Sequence, residues 1–381
     1  MDETPFSTFV VKTASRCNLN CDYCYMYNLE DSTYRNQPAA LSDHVAYMAA
    51  KRITDHAQKT NLKMVHFIFH GGEPLLAGKK RISRIVEIVR NVCTGGGIDV
   101  RFSMQSNGTL LDREWIDLLL DLRVRVGLSV DGPRSIHDRH RKDHFGRGSY
   151  DRVVGAIRLL QSHPRCEEVF SNVLAVVDID ISPTEIMEFW NEIDVVGFDI
   201  SLPHANHVHL PPRPIAEYRD WLIGFFDAWF DQNRKGRHVR YFDNIIRMMF
   251  GFEVSTDNIG GKPVDVLVIE TDGSLEPTDA FKCCFDGVTK LGANLTDTAL
   301  EDLRAHPMIA AFQAGVNALC DTCQVCPARD ICGGGYMPHR FGHDGSFMHP
   351  SVYCEALLPL IEHIHNRVAQ SLPEQMKRSA A

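Results

Sequence analysis

No stretch of the sequence approaches the roughly 18 uninterrupted apolar residues that a membrane-spanning helix needs. Its first residues, Met1 to Phe9, lack the basic head and apolar core of a secretory signal. An excess of basic charge is also missing, since 40 Lys and Arg stand against 49 Asp and Glu for a net charge of -9. This balance argues against a general nucleic-acid surface. We therefore expect a cytoplasmic protein with no membrane and no nucleic acid among its partners.

The chain has 381 residues, of which 44% are hydrophobic and twelve are cysteine. This length favours one large domain and a smaller one. Twelve cysteines without an export signal indicate metal or redox chemistry in a reducing compartment rather than a disulfide framework.

Three cysteines, Cys17, Cys21 and Cys24, follow the first apolar strand in the stretch Cys-Asn-Leu-Asn-Cys-Asp-Tyr-Cys-Tyr. Cubane iron-sulfur clusters are usually held by four thiolates, so a loop with three leaves one iron open. An open position on a metal is typical of catalytic rather than structural sites. Zinc is the alternative, but the next cysteine is Cys93 and the nearest histidine, His44, lies in a run with helical spacing.

Apolar runs alternate with stretches of helical spacing through the first two thirds of the chain. Strands are predicted at 9–13, 64–69, 100–105, 124–130, 169–177 and 198–202. Helices are predicted at 41–60, with Ser42 as N-cap, 80–93, 112–122, 150–160, 184–194 and 216–233. The alternation implies an α/β fold with a parallel sheet and right-handed crossovers, in which the residues that follow each strand meet at one edge. Periodicity alone does not distinguish an open barrel from a doubly wound sheet.

The spacing CxxxCxxC with an aromatic residue before the last cysteine resembles the signature of the radical S-adenosylmethionine (SAM) enzymes. Three motifs at later strand ends agree with it: His70-Gly-Gly-Glu-Pro, Gln105-Ser-Asn-Gly and Ser129-Val-Asp-Gly-Pro. The resemblance implies a partial (β/α)6 TIM-like barrel. It also implies a [4Fe-4S] cluster on Cys17, Cys21 and Cys24 whose open iron binds SAM and yields a 5′-deoxyadenosyl radical.

The same resemblance implies the residues that bind SAM. Glu73 would lie beside its ammonium group, Ser129 beside its ribose and Arg141 beside its carboxylate. The full predicted set is Tyr23, Gly71, Gly72, Glu73, Gln105, Asn107, Ser129 and Arg141. For Arg141 the alternative is a solvated charge cluster, because residues 134–147 are strongly basic.

From Glu270 the character of the sequence changes. Residues 271–277 predict a short hairpin, and cysteines then become dense. CxxCx5C followed by Gly-Gly-Gly and a distant cysteine resembles the SPASM extension of peptide-modifying radical SAM enzymes. The resemblance implies an auxiliary [4Fe-4S] cluster on Cys323, Cys326, Cys332 and Cys354. A zinc ribbon is the alternative for this piece taken alone.

The chain departs from the full SPASM pattern. Relatives with two auxiliary clusters have cysteines where this chain has Thr278 and Tyr336, and two more upstream, where no cysteine occurs between Cys166 and Cys283. We therefore predict one auxiliary cluster. Asp279 stands where sulfatase-maturing relatives carry their catalytic aspartate, and we predict that it is a base; the alternative is a turn-capping aspartate.

The remaining cysteines and one histidine-rich loop receive weaker assignments. Cys283, Cys284 and Cys320 stay unassigned, as spare thiols or ligands of an unusual second cluster, and Cys93 and Cys166 are predicted to be buried apolar thiols. A loop that lines the pocket mouth, rather than a metal site, is predicted for His204, His207 and His209. The predicted domains are a radical SAM barrel over 1–235, a bridging region over 236–275, a SPASM domain over 276–370 and a tail over 371–381.

Four stretches look most like SPASM maturases of ribosomal peptides, and within these the cyclophane-forming, triceptide-type group: 66–74, 147–153, 332–340 and 350–354. The resemblance implies a crosslink between an aromatic ring and the β-carbon of a nearby residue of a ribosomal precursor peptide. The alternatives are a sulfatase-maturing oxidase that makes formylglycine, a peptide epimerase or thioether maturase, and a non-catalytic iron-sulfur scaffold that binds peptides.

Partners follow from that chemistry. An external one-electron reductant of the flavodoxin or ferredoxin type is implied. We expect the peptide to be gripped by the barrel rim and the SPASM region, since the chain leaves no room for an added leader-binding domain; a separate leader-binding protein is the alternative.

Overall fold

The computed structural model describes residues 4–232, 234–254 and 256–372. It contains two compact units. The first comprises the described residues up to Val176 together with Asp265–Gln313, and the second comprises Val177–Val264 and the residues from Ala314 onward. Of the predicted tail over 371–381, residues 373–381 lie outside the described residues, and Ser371 is the last residue of a helix. The linear domain limits given above remain a prediction.

The described residues form nine strands and thirteen α-helices. The strands are β1 Thr8–Ala14, β2 Met64–Gly71, β3 Asp99–Ser106, β4 Val124–Ser129, β5 Phe170–Val176, β6 Gly197–Ser201, β7 His238–Val239, β8 Val266–Ile269 and β9 Leu275–Glu276. The helices are α1 Asp43–Lys59, α2 Lys79–Gly95, α3 Arg113–Asp121, α4 Arg134–His140, α5 Tyr150–Gln161, α6 Cys166–Val169, α7 Pro183–Glu192, α8 Ile215–Gln232, α9 Arg240–Met249, α10 Pro307–Gln313, α11 Asp321–Gln324, α12 Arg329–Cys332 and α13 Cys354–Ser371.

The first unit is built on a sheet in the order β9-β8-β1-β2-β3-β4-β5. All of its strand pairs are parallel except β8 with β9, which form the predicted hairpin. Alternate residues of β2, such as Phe67 and Phe69, are fully buried, because one sheet face is covered by helices. The carboxyl ends of β1 to β4 therefore lie along one edge, where the sequence places its motifs.

Local signals explain where the helices begin. The Ser42 side chain accepts a hydrogen bond from the Val45 N–H, as predicted for an N-cap. Asp112 does the same for Trp115 at the start of α3. In α1 and α2 the buried residues are mostly apolar and recur with helical spacing, so these helices stabilise the sheet mainly through burial of apolar surface.

The second unit contains the pair β6 and β7 and a core of aromatic side chains. Rings of α8 and α9 are in contact, with the centroids of Phe225 and Phe242 5.4 Å apart. Helix α13 packs on α8, where the His363 Nε2 lies 2.8 Å from the Asp227 carboxylate.

The predicted α/β class with a largely parallel sheet is confirmed. Seven helices were not predicted, namely α4, α6 and α9 to α13. Helix α4 is rich in basic residues and offers only a short apolar stripe. Among the described residues, no helix is both long and apolar enough to cross a bilayer.

Candidate functional site

Two glycines bring the end of β2 against the chain that leads into the three-cysteine loop. The Gly72 N–H donates to the Ala14 carbonyl over 2.9 Å. A Cβ on Gly71, which has φ +149°, would lie 2.1 Å from that carbonyl oxygen, and one on Gly72 would lie 2.4 Å from the Arg16 oxygen. Both positions need glycine because another backbone passes at contact distance.

Replacing Gly71 by alanine is expected to displace the loop and lower the iron bound per chain. The added methyl group requires backbone movement, which costs on the order of 1–3 kcal/mol. Iron content and the free energy of unfolding should both fall. The control is Gly95→Ala at the end of α2, where a Cβ meets no atom within 4 Å; equal iron content in the two variants would contradict the assignment.

The other side of the loop is fixed by residues 142–144. The Asn20 N–H donates to the Lys142 carbonyl over 2.7 Å, and the His144 Nε2 lies 2.9 Å from the Cys17 carbonyl oxygen. The loop backbone is thus held at both sides.

The three thiols of the loop are buried or half-buried. Burial raises the pKa of each, that of Cys21 to about 11, so metal binding has to displace protons. No three His, Cys, Asp or Glu side chains in the described ranges close around a single ion. A cubane has no such requirement, because its cysteines bind different irons. An all-thiol donor set fits an iron-sulfur cluster.

Glu73 is completely buried, and its carboxylate joins the ends of β2 and β3. It accepts hydrogen bonds from the Ser106 hydroxyl over 2.8 Å, the Asn107 N–H over 2.8 Å and the Leu75 N–H over 3.0 Å. Burial raises its pKa to about 7 in spite of these bonds. A neighbouring cation would favour the ionised form, so the residue fits the ammonium group of SAM.

Three more residues predicted to bind SAM lie at the ends of β3 and β4. The Gln105 amide donates to the Ser129 hydroxyl over 3.0 Å. The Asn107 amide lies 3.7 Å from the Cys17 sulfur and donates to Asn18 over 3.0 Å. The structure therefore places Asn107 beside the cysteine loop, and the roles of all three toward SAM remain predictions.

Arg141 is buried and already paired with a carboxylate. Its Nε and Nη2 donate to the two oxygens of Asp131 over 2.8 and 2.9 Å, a bidentate geometry. The Tyr23 hydroxyl donates to the same carboxylate, and the Arg141 Cζ lies 5.5 Å from the Tyr23 ring centroid. The alternative of a solvated charge cluster is wrong for Arg141. A contact with the SAM carboxylate would have to use its remaining Nη1.

Asp131 is a site residue that the sequence analysis missed. Besides Arg141 and Tyr23 it binds the Val176 N–H over 3.0 Å, so it ties the ends of β4 and β5 together. Burial raises its pKa, but the Arg141 guanidinium lowers the pKa below its ordinary value. The signal was present, since Asp131 lies in the motif that begins at Ser129.

Lys12, in β1, was also missed. It pairs in register with His70 of β2, its Nζ lies 2.9 Å from the His70 Nδ1, and it forms a buried ion pair with Asp279. A lysine in the apolar run Phe9-Val-Val-Lys-Thr was the available signal. The carboxylate of Asp279 therefore contacts Lys12 instead of capping its own turn.

The Lys12 ammonium determines the charge of both neighbours. Burial raises the pKa of Asp279, but Lys12 and His70 together hold this pKa well below its usual range. Burial and Lys12 lower the pKa of His70 to about 4. At neutral pH Asp279 is therefore ionised and His70 neutral, with its Nδ1 accepting from Lys12 and its proton on Nε2.

In the second unit, four cysteines line one cavity, and they are the predicted auxiliary ligands Cys323, Cys326, Cys332 and Cys354. Glycines at 333–335 all have positive φ and turn the chain sharply after Cys332. Cys320 lies beside Cys323 and is absent from the cavity wall. Four thiols around one cavity fit complete thiolate ligation of a [4Fe-4S] cluster, and the single auxiliary cluster remains a prediction.

Replacing Cys323 by alanine is expected to remove the auxiliary cluster, while Cys320→Ala should keep it. Each variant removes one thiol from the same short segment, but only Cys323 lines the cavity. Iron and sulfide content after anaerobic reconstitution should drop by about half in Cys323→Ala. An equal loss in Cys320→Ala would show that the ligand set is different.

The remaining cysteines differ in how deeply they are buried. Cys93, Cys283 and Cys284 are buried, whereas Cys166 is half-buried, so its prediction as a buried thiol was wrong. In the histidine loop, the His207 Nε2 lies 2.8 Å from the Pro350 carbonyl oxygen. This contact occupies one ring nitrogen of the loop, and the lining of a pocket mouth by these histidines remains a prediction.

Comparisons with known proteins agree with this geometry. Residues 11–221 match the family model of the Radical SAM superfamily. The chain is 27% identical to a cysteine-type anaerobic sulfatase-maturating enzyme of Clostridium perfringens, over 96% of this chain and 97% of that one.

Solved structures extend the likeness to the fold. The structure of native anSMEcpe with bound AdoMet has a TM-score of 0.82 at 25% identity, covering 96% of this chain and all of that one. Streptococcus suis SuiB bound to its precursor peptide SuiA, at 14% identity and a TM-score of 0.57 over 92% of this chain and 76% of that one, shares the fold. The chain belongs to the radical SAM superfamily, and it is an enzyme that uses a [4Fe-4S] cluster and SAM.

Proposed function

We propose that the enzyme oxidises a side chain of a peptide or protein substrate by two electrons. The observation that carries this proposal is the group formed by Lys12, His70 and Asp279. Lys12 lies on the strand that leads into the three-cysteine loop, and His70 directly precedes Gly71 of the same site. When bound, the cluster and SAM supply the radical that removes one hydrogen atom. The substrate must then lose one electron and one proton.

Asp279 is the proton acceptor that the chain offers. One of its oxygens contacts Lys12, which leaves the other to accept. The neutral His70, whose side chain is 25% exposed, keeps an Nε2–H that can orient a substrate group. Four cysteines in the second unit would receive the electron through the auxiliary cluster.

The first candidate reaction is formylglycine formation from a Ser or Cys side chain. It is supported by the relatives, which include the cysteine-type anaerobic sulfatase-maturating enzyme of C. perfringens, and by Asp279 at the position of their catalytic aspartate. The weak basicity of Asp279 argues against this reaction. A carboxylate whose pKa is held well below its usual range by Lys12 is a weak base toward a thiol or hydroxyl.

The second candidate is a crosslink between an aromatic ring and the β-carbon of a nearby residue. After the carbon radical has joined the ring and one electron has left, the adduct regains aromaticity by losing a proton. That step needs only a weak base, which suits Asp279. Thr278 and Tyr336, in place of two inner-cluster cysteines, also separate this chain from the sulfatase-maturing pattern. The substrate would be a ribosomal precursor peptide, with an external reductant and, as an alternative to direct binding, a leader-binding protein.

Co-expression with a small peptide encoded beside this gene tests both candidates. Loss of two hydrogens, with a fragmentation gap from an aromatic residue to a neighbour, supports the crosslink. A product that reacts with a hydrazide at one Ser or Cys supports formylglycine. An unchanged mass with one deuterium gained in heavy water would replace both by epimerisation. A Cys17→Ala enzyme is the control.

A further inference from the structure

The second unit buries an arginine that has no carboxylate partner among the described residues. Arg340 ends the short 3₁₀ helix Met337–Arg340 and is 7% exposed. Its Nη1 donates to the Ala318 carbonyl over 3.3 Å, and its Nε is buried without any hydrogen-bond acceptor. A buried charge is costly unless an opposite charge lies nearby, so the position of this guanidinium needs an explanation.

The ionisable groups around Arg340 that can carry a negative charge are cysteines. A Cβ built on Gly334 would lie 3.3 Å from the Arg340 Cζ, and Gly334 lines the cavity that the four cysteines share. Burial lowers the pKa of Arg340, and the neighbouring Cys323, Cys332 and Cys320 oppose this shift. The guanidinium therefore lies next to Gly334 in the cavity wall and has little contact with solvent.

We propose that Arg340 is the buried counter-charge of the auxiliary cluster and raises its reduction potential. A cubane with four thiolates is anionic and gains one more negative charge on reduction. A cation held close to it in a poorly solvated site stabilises the reduced form more than the oxidised form. The inference depends on the predicted auxiliary cluster and is independent of the peptide product.

Arg329 provides a matched control. It lines the same cavity, but its side chain is 40% exposed and its Nε lies 2.9 Å from the Asp330 carboxylate. Its charge is therefore compensated and screened by solvent. Loss of this arginine should leave the potential almost unchanged.

The test is a redox titration of the anaerobically reconstituted full-length enzyme, followed by electron paramagnetic resonance. The auxiliary signal is the one that persists in Cys17→Ala and does not respond to SAM. In Arg340→Met we expect a tenfold shift of the reduction equilibrium toward the oxidised form, a fall of about 59 mV. Arg340→Lys should stay near the wild-type value.

Each outcome decides the proposal. A lower reduction potential in Arg340→Met, with little change in Arg340→Lys and Arg329→Met, supports the proposal. Loss of the auxiliary iron in Arg340→Met with retention in Arg340→Lys also supports it, because the main difference between these two variants is the positive charge. Unchanged potential in Arg340→Met with full iron content overturns it. Loss of iron in both variants, or equal shifts in Arg340→Met and Arg329→Met, also overturns it, since the role would then be structural or nonspecific.

Discussion

Replacing Cys21 by alanine is expected to abolish the formation of 5′-deoxyadenosine from SAM. A cubane with one open iron needs three thiolate ligands, one for each of its other irons. The loop has no fourth thiol that could replace Cys21. Removal of partners that only support metal ligands already costs about 10–100-fold, so loss of a ligand should lower the rate by more than about a hundredfold. The measurement is anaerobic 5′-deoxyadenosine production with dithionite as reductant.

The same variant should retain the iron of the second unit. Iron per chain is therefore expected to fall by about half. Cys93→Ala is the control, because Cys93 is buried between α1 and α2, where the Thr54 hydroxyl lies 3.4 Å from its sulfur, and its loss should leave SAM cleavage intact. Normal 5′-deoxyadenosine production by Cys21→Ala would refute the assignment of the loop.

Replacing Lys12 by methionine should lower the yield of peptide product while SAM cleavage continues. Without Lys12, the buried Asp279 loses its ion-pair partner, which costs about 3–5 kcal/mol of stability when one member of a buried pair is deleted. The pKa of Asp279 rises, so the carboxylate is protonated at higher pH. The ratio of peptide product to 5′-deoxyadenosine should then fall, and the acid limb of its pH profile should move to higher pH.

A double variant separates stability from chemistry. Asp279 has a lowered pKa, so its ionisation contributes stability that is present above its unfolded pKa and is lost as pH falls through its folded pKa. Lys12→Met/Asp279→Leu removes both charges and should recover most of the unfolding free energy. The double variant should make no product if Asp279 accepts the proton. Normal product from Lys12→Met, or from the double variant, would contradict the role proposed for this pair.

The sequence predicted the first six strands and the helices α1, α2, α3, α5, α7 and α8 to within two residues at each end. Each is a continuous apolar run or an amphipathic repeat, and such local patterns depend little on the rest of the chain. Helix α4 was not predicted because residues 134–140 are mainly basic and polar. The Asp131–Arg141 ion pair joins the residues on either side of this helix.

Some residues of the candidate site were predictable from the sequence and others were not. The cysteine loop and Glu73 were predictable because their spacing is local. Lys12 and Asp279 are 267 residues apart, and a single sequence does not reveal which carboxylate meets a buried lysine. The pairing of Arg141 with Asp131 was missed for a related reason, since nothing in the local pattern shows that Asp131 occupies two of its nitrogens.

The most direct test of the account is transfer of hydrogen from the substrate to the cofactor. The purified enzyme would be given SAM, a reductant and the precursor peptide deuterated at the β-carbon of the residue that is modified in cells. Both candidate reactions begin at a β-carbon, so the account predicts 5′-deoxyadenosine that carries one deuterium. 5′-Deoxyadenosine without deuterium, formed together with modified peptide, would contradict it.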